Sequence, residues 1–197
     1  MTDHHHDSGS VTAARVKRVE AAVIAAGLTT EAELDQVLEV LASKTSPRNG
    51  ARVVARAWVD PSFAKALLAD ANAAIEQLGL SMEAGPPVRL KAVANSESVH
   101  NVVVCTLCSC YPIGLVGPPP TWYKEPAYRS RVVREPRAVL AEFGTHLPPQ
   151  TEIRVWDSSA EIRYLVIPRQ PEGSEGLDED GLAALVTRNG LIGTALL

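Results

Sequence analysis

Cysteine is scarce in this chain: only three occur among 197 residues, at positions 105, 108 and 110. An odd and tightly clustered set cannot build the spread disulfide framework that staples small secreted folds, so these thiols are there for chemistry. Long apolar runs are missing as well. No stretch approaches the roughly 20 consecutive apolar residues that a membrane helix needs, and the start, Met1-Thr2-Asp3-His4-His5-His6-Asp7, has no secretory h-region. A membrane association is therefore not expected, and a cytoplasmic location is. Charge of one sign is also lacking. The 19 Lys and Arg against 23 Asp and Glu leave a net charge of −4, with no basic block able to follow a phosphate backbone, so nucleic acid is not expected as a partner. There is no internal repeat and no low-complexity tract. The adjacent His4, His5 and His6 can chelate a metal, but in a polar terminus they read as a tail.

What is present fits one compact catalytic domain with an appended arm. Val16, Val19, Val23 and Ala26 recur at helical spacing up to Gly27, and Thr30 with Glu33 forms a capping-box pattern for a second helix. After a break at Ser46-Pro47-Arg48-Asn49-Gly50, Asp60-Pro61 reads as N-cap and first residue of a helix running through Leu67, Leu68 and Ile75 to Gly79. Residues 1–80 are thus expected to form a helical arm. Gly85-Pro86-Pro87 reads as a linker, and residues 81–197 as the metal-binding catalytic domain. In it, residues 88–93 and 99–104 are rich in β-branched side chains and read as strands. A Pro- and Gly-dense segment over 112–120 precedes short helices at 128–133 and 139–143. Residues 152–156 and 161–167 alternate as a hairpin around Asp157-Ser158-Ser159, and a helix over 178–186 closes the domain. The expected class is α+β, a helical arm followed by a layered α/β domain.

The chemistry concentrates in Val104-Cys105-Thr106-Leu107-Cys108-Ser109-Cys110-Tyr111-Pro112, directly after a strand. Three soft sulfur donors in one short loop can face a single metal ion. Only Ser109 separates Cys108 from Cys110, so the peptide nitrogens of Ser109 and Cys110 lie within chelating reach of a metal held by both sulfurs. A structural zinc site needs four side-chain ligands, usually as two separated pairs, and no second pair is visible. A thioredoxin-like pair, Cys105 with Cys108, is weakened by the third thiol and by the lack of a helix-forming continuation past Pro112.

This segment resembles the metal claw of nitrile hydratase α subunits, Cys-[Thr/Ser]-Leu-Cys-Ser-Cys. The similarity continues upstream in Gly50-Ala51-Arg52-Val53-Val54, Ala57-Trp58 and Asp60-Pro61. Downstream it continues in Trp122-Tyr123-Lys124-Glu125-Pro126-Ala127-Tyr128-Arg129, Val132-Val133-Arg134-Glu135-Pro136-Arg137, Val155-Trp156-Asp157-Ser158-Ser159 and Leu185-Val186-Thr187-Arg188. The resemblance implies an α subunit that pairs with a β subunit. It implies Cys105 as axial thiolate, with Cys108, Cys110 and the backbone nitrogens of Ser109 and Cys110 in the equatorial plane. It further implies oxidation of Cys108 to sulfinic and Cys110 to sulfenic acid. Thr106 and Tyr111-Pro112 resemble the cobalt-type members, so non-corrinoid cobalt(III) is preferred to iron(III). Catalytic roles fall on Cys110 and Ser109, and two arginines of the β subunit are implied as donors to the oxidised sulfurs. A cobalt-loading activator protein is a further implied partner, and a small-molecule nitrile the implied substrate.

The chain departs from the family pattern in two places. Ile113-Gly114 stands where Trp-Pro is usual, which removes a pocket-lining indole, and Gly85-Pro86-Pro87 occupies the region where many members carry a glutamine. Three function classes follow: hydration of a nitrile in an αβ heteromer, hydrolysis of thiocyanate by the related enzyme that shares the claw, and non-catalytic metal storage. The thiocyanate reading favours a tight, positively charged pocket, and the sequence shows no added basic residue near the motif. Among other polar residues, His100 reads as a claw support or a satisfied strand histidine, Asp157 as a turn cap or a support, and Arg129, Arg131, Arg134 and Arg137 as a solvated face or a subunit contact.

Overall fold

The computed structural model describes residues 5–82 and 88–197, with the side chains of 5–10 and 40–43 outside that description. The Gly85-Pro86-Pro87 stretch and His4 lie outside the described residues. The chain divides into two compact units, Met1–Ser43 and Lys44–Leu197.

The first unit is a helix pair, α1 (His5–Ala25) and α2 (Glu31–Lys44). Gly27, at φ 69°, ends α1, and its N–H reaches the Ile24 carbonyl at 2.9 Å. The expected capping box opens α2: Glu33 Oε2 accepts from the Thr30 N–H at 2.9 Å, and Thr30 Oγ1 accepts from the Glu33 N–H at 3.2 Å. Val16, Val19, Val37 and Leu38 of this pair are exposed.

The second unit opens with α3 (Pro47–Val59). Ser46 Oγ caps it by accepting from the Arg48 N–H at 3.2 Å, so the expected break narrows to Ser46 alone. Gly50 serves packing here, not a turn. A Cβ on it would meet the Leu115 carbonyl oxygen at 2.7 Å and Leu191 Cδ1 at 2.8 Å. Asp60 caps α4 (Pro61–Ala69), accepting from the N–H groups of Ser62 at 2.9 Å and Phe63 at 3.1 Å. The expected single helix to Gly79 divides at Asp70, which takes an extended conformation and caps α5 (Ala71–Glu76) through the Ala73 N–H. Asn72 then pins the first strand, accepting from the Leu90 N–H at 2.7 Å and donating to the Val88 carbonyl at 3.0 Å. With α4 and α5 packed on that strand, these helices belong to the second unit, and the boundary falls at 43/44, not near residue 80.

Among the described residues four strands follow: β1 (Arg89–Ala94), β2 (Val99–Val104), β3 (Glu152–Asp157) and β4 (Ile162–Ile167). The expected β3–β4 hairpin does not form. β4 instead pairs in parallel with β1 and β3 in parallel with β2, giving two two-stranded ladders. Alternation identifies a strand without naming its partner. The runs Val102-Val103-Val104 and Leu165-Val166-Ile167 are buried without interruption, as in strands covered on both faces, and that is the habit of parallel pairing.

Between β2 and β3 lie α6 (Ile113–Val116), α7 (Thr121–Lys124), α8 (Pro126–Arg131) and α9 (Pro136–Glu142), the first of them inside the Pro- and Gly-dense segment. The turn of helix at α6 shows that the chain does continue helically past Pro112. After β4 come α10 (Glu179–Leu185), capped by Asp178, and α11 (Arg188–Ile192), capped by Thr187. The core gathers α3, α4 and α5, the four strands, and buried residues of α6, α8 and α9. Among the described residues no helix is long and apolar enough to cross a membrane.

Candidate metal centre

The loop of three cysteines leaves the buried end of β2, and the β2–β3 register decides what meets it. Val104 pairs with Asp157, and the Ser158 N–H donates to the Val104 carbonyl at 2.7 Å. The Asp157 carboxylate therefore stands beside the first loop residue after Cys105. Its Oδ1 accepts from the Thr106 N–H at 2.9 Å and its Oδ2 from the Thr106 hydroxyl at 2.6 Å.

The three sulfurs converge. Cys105 Sγ lies 3.4 Å from Cys108 Sγ, Cys108 Sγ lies 3.2 Å from Cys110 Sγ, and all three fall within 4.8 Å of one another. Thiolates bonded to one ion at about 2.3 Å and at right angles would stand about 3.2 Å apart, so the spacing fits a shared metal. Cys105 is buried, Cys110 half-buried and Cys108 exposed, which leaves the site open on the Cys108 side.

The electrostatics separate the two outer thiols. Hydrogen bonds from Cys110 and Cys105, helped by the backbone N–H groups of Cys110 and Ser109, pull the Cys108 thiol down to about 7. Burial first, then the hydrogen bond shared with Cys108, push Cys110 up to about 12, while the Arg163 guanidinium opposes the rise. Three tyrosines support the loop from below. Burial holds Tyr111, Tyr123 and Tyr128 well above the ordinary phenol value, so they remain protonated donors. Tyr123 donates to the Cys110 carbonyl at 3.0 Å, and Tyr128 donates to the Val103 carbonyl at 2.7 Å. Edge contacts of Tyr111 with Tyr123 and of Trp122 with Tyr128, both at 4.9 Å between centroids, lock these rings together.

Of the residues singled out in the sequence, Cys105, Cys108, Ser109 and Cys110 lie together. His100 does not join them. It is buried, with Nε2 2.7 Å from the Gly193 carbonyl and Nδ1 3.3 Å from Asn95 Nδ2, so its ring nitrogens are taken up in packing. Asp157 supports the claw. The four arginines separate: Arg129 Nη1 donates to the Cys108 carbonyl at 3.2 Å, and Arg131 pairs with Glu135 and Glu142. Arg134 donates to the Ser130 carbonyl, and Arg137 gathers carbonyls around Thr151. Arg129 and Arg163, distant in sequence, thus bring positive charge to a motif that has none nearby along the chain. Ile113 begins α6 and is 43% exposed, and the Gly114 carbonyl accepts from Asn49 Nδ2 at 2.8 Å. Tyr123, Arg129 and Arg163 were not foreseen at the claw, since only the packing of α7 and α8 and the β1–β4 ladder brings them there.

The family "Nitrile hydratase, alpha chain" matches residues 10–195. The α subunit of the low-molecular-weight cobalt-containing nitrile hydratase of Rhodococcus rhodochrous is 48% identical over 202 residues, covering 100% of this chain and 97% of the relative. The γ subunit of thiocyanate hydrolase from Thiobacillus thioparus is 46% identical over 159 residues, covering 76% of this chain and 65% of the relative. A solved structure of a double mutant of the Fe-type nitrile hydratase from Comamonas testosteroni Ni1 superposes with a TM-score of 0.89 at 39% identity, covering 100% of this chain and 92% of that one.

Proposed function

Because the chain belongs to the nitrile hydratase α-chain family, we propose that it is the metal-carrying subunit of an enzyme that adds water across a nitrile to give the amide. The convergence of Cys105, Cys108 and Cys110 within 4.8 Å is the observation that carries this reading. The sulfurs of these residues, with the backbone nitrogens of Ser109 and Cys110, would hold non-corrinoid cobalt(III). The cobalt-containing relative, Thr106 and Tyr111-Pro112 favour cobalt over the iron of the Fe-type neighbour. A trivalent ion bound there supplies Lewis acidity, which polarises a nitrile or acidifies water.

The remaining work falls to the protein. Cys108 as sulfinic acid and Cys110 as sulfenic acid would supply the negative oxygens that line the open side of the site. The Cys110 sulfenate acts as nucleophile or as the base that takes a proton from water. Arginines of a β subunit would neutralise these oxygens, and α1 and α2, with their exposed valines and Leu38, offer apolar surface for that subunit. A cobalt-loading activator would serve assembly.

A second reading, thiocyanate hydrolysis, draws on the 46% identity to the γ subunit. Purification with the β subunit decides between them. The expected complex contains cobalt, turns over nitriles and leaves thiocyanate untouched, and its α chain carries two added oxygens on Cys108 and one on Cys110 by peptide mass. Unmodified cysteines in a fully active complex, or turnover of thiocyanate alone, would overturn the reading. The isolated α chain should show little or no activity.

A further inference from the structure

We propose that Arg129 and Tyr123 are positioning residues that hold the two ends of the Cys108-Ser109-Cys110 tripeptide, Arg129 by orienting the Cys108–Ser109 peptide and Tyr123 by fixing the peptide that leaves Cys110, and so set its chelating geometry. This rests on the function proposed above, because it concerns the backbone nitrogens taken there as ligands.

The carbonyls at the two ends of that tripeptide are both held from outside the loop. Arg129 Nη1 donates to the Cys108 oxygen at 3.2 Å, and the Tyr123 hydroxyl donates to the Cys110 oxygen at 3.0 Å. No peptide bond among the described residues is cis. In a trans peptide the N–H points opposite to the carbonyl, so a guanidinium holding the Cys108 oxygen directs the Ser109 N–H away from Arg129, to the opposite edge of the peptide. The Tyr123 hydroxyl in the same way fixes the peptide that leaves Cys110.

Both holding groups are rigid. Tyr123 is fully buried, its ring centroid 4.9 Å from that of Tyr111 and 5.9 Å from that of Tyr128. Arg129 stands on α8 next to Tyr128, whose hydroxyl ties that helix to the Val103 carbonyl of β2. The strand that launches the claw is therefore the strand that anchors its outer support. The Arg129 Nε is buried and finds no acceptor among the described residues. A side chain kept there at the cost of a buried, unpaired donor is not a solvated surface arginine.

The experiment uses the cobalt-loaded complex with its β subunit and the variants Tyr123→Phe, Arg129→Met and Arg129→Lys, with Arg131→Gln as a control on the neighbouring exposed ion pairs. Five quantities are read: cobalt content, the sulfur-to-cobalt charge-transfer bands in absorption and circular dichroism, the rate of cobalt loss to a chelator, kcat and KM. Tyr123→Phe and Arg129→Met should shift the bands, speed cobalt loss about 10-fold and lower kcat about 10-fold with KM unchanged. Arg129→Lys should recover part of each change, and Arg131→Gln should match the parent. Bands and cobalt loss identical to the parent in both Tyr123→Phe and Arg129→Met would overturn the proposal. Should Arg129→Met not assemble, Tyr123→Phe, which keeps the buried ring, decides alone. A parent complex that holds no cobalt would instead count against the function proposed above.

Discussion

Asp157 holds Thr106 twice, with Oδ1 2.9 Å from the backbone nitrogen and Oδ2 2.6 Å from the hydroxyl, across a separation of 51 residues. Only the parallel β2–β3 register, Val104 against Asp157, makes that contact. An amide can accept at one position but cannot accept at both. Asp157→Asn should therefore loosen the start of the claw and weaken metal retention by about 10–100-fold, measured by competition with a chelator. Thr106→Val should act on the same contact, and the double variant should cost less than the sum of the two. Full additivity would show that the two residues do not act together.

Replacing Cys105, Cys108 or Cys110 with Ser should abolish cobalt retention along with turnover, because a hard hydroxyl oxygen is a poor substitute for thiolate. Ser109→Ala should keep the metal, since Ser109 is taken to ligate through its backbone, and should lower only the rate. Metal analysis of the purified complexes checks both expectations, and loss of cobalt from Ser109→Ala would contradict the backbone role.

Ile113 begins α6 with 43% of its surface exposed, immediately after the claw. An indole at this position would occupy space that the sec-butyl group leaves free. Ile113→Trp should depress kcat/KM for bulky aromatic nitriles relative to acrylonitrile-sized ones by roughly 10–200-fold, the range that fitted or excluded groups produce in such pockets. An equal loss for both sizes would assign Ile113 to packing.

His100 makes stability depend on pH. Burial lowers its pKa below the ordinary 6.5, with the Gly193 carbonyl opposing the shift. The unfolded chain therefore binds a proton that the folded chain refuses, and stability falls as pH drops below about 6.5. Above that value both states are neutral at this site and the contribution is flat. Thermal melts from pH 8 to 5 should show Tm falling on the acid side, with a shallower slope in His100→Gln. An unchanged slope would mean that other groups carry the acid sensitivity.

The sequence alone was enough for several contacts between near neighbours, though not for the helix break at Asp70 or the helical turn after Pro112. Thr30 and Glu33 meet as a capping box because the contact spans one helical turn. Asp60 and Pro61 open a helix for the same reason, and the three cysteines approach one another because the loop is too short to separate them. The strand over 99–104 is legible from its β-branched run. What the sequence did not carry is pairing between distant segments. Alternation in 152–156 and 161–167 suggests a hairpin, yet each strand takes a different parallel partner, and that exchange is what delivers Asp157 to Thr106 and Arg163 to the neighbourhood of Cys110. The helices within 61–79 read as part of an arm, yet Asn72 and the apolar faces of α4 and α5 pack against β1. Tyr123 and Arg129 reach the claw through the packing of α7 and α8, which the Tyr128 hydroxyl ties to the strand. Local hydrogen bonds and chelate spacing are fixed by covalent distance, whereas the residues that orient the claw are chosen by which buried faces find each other.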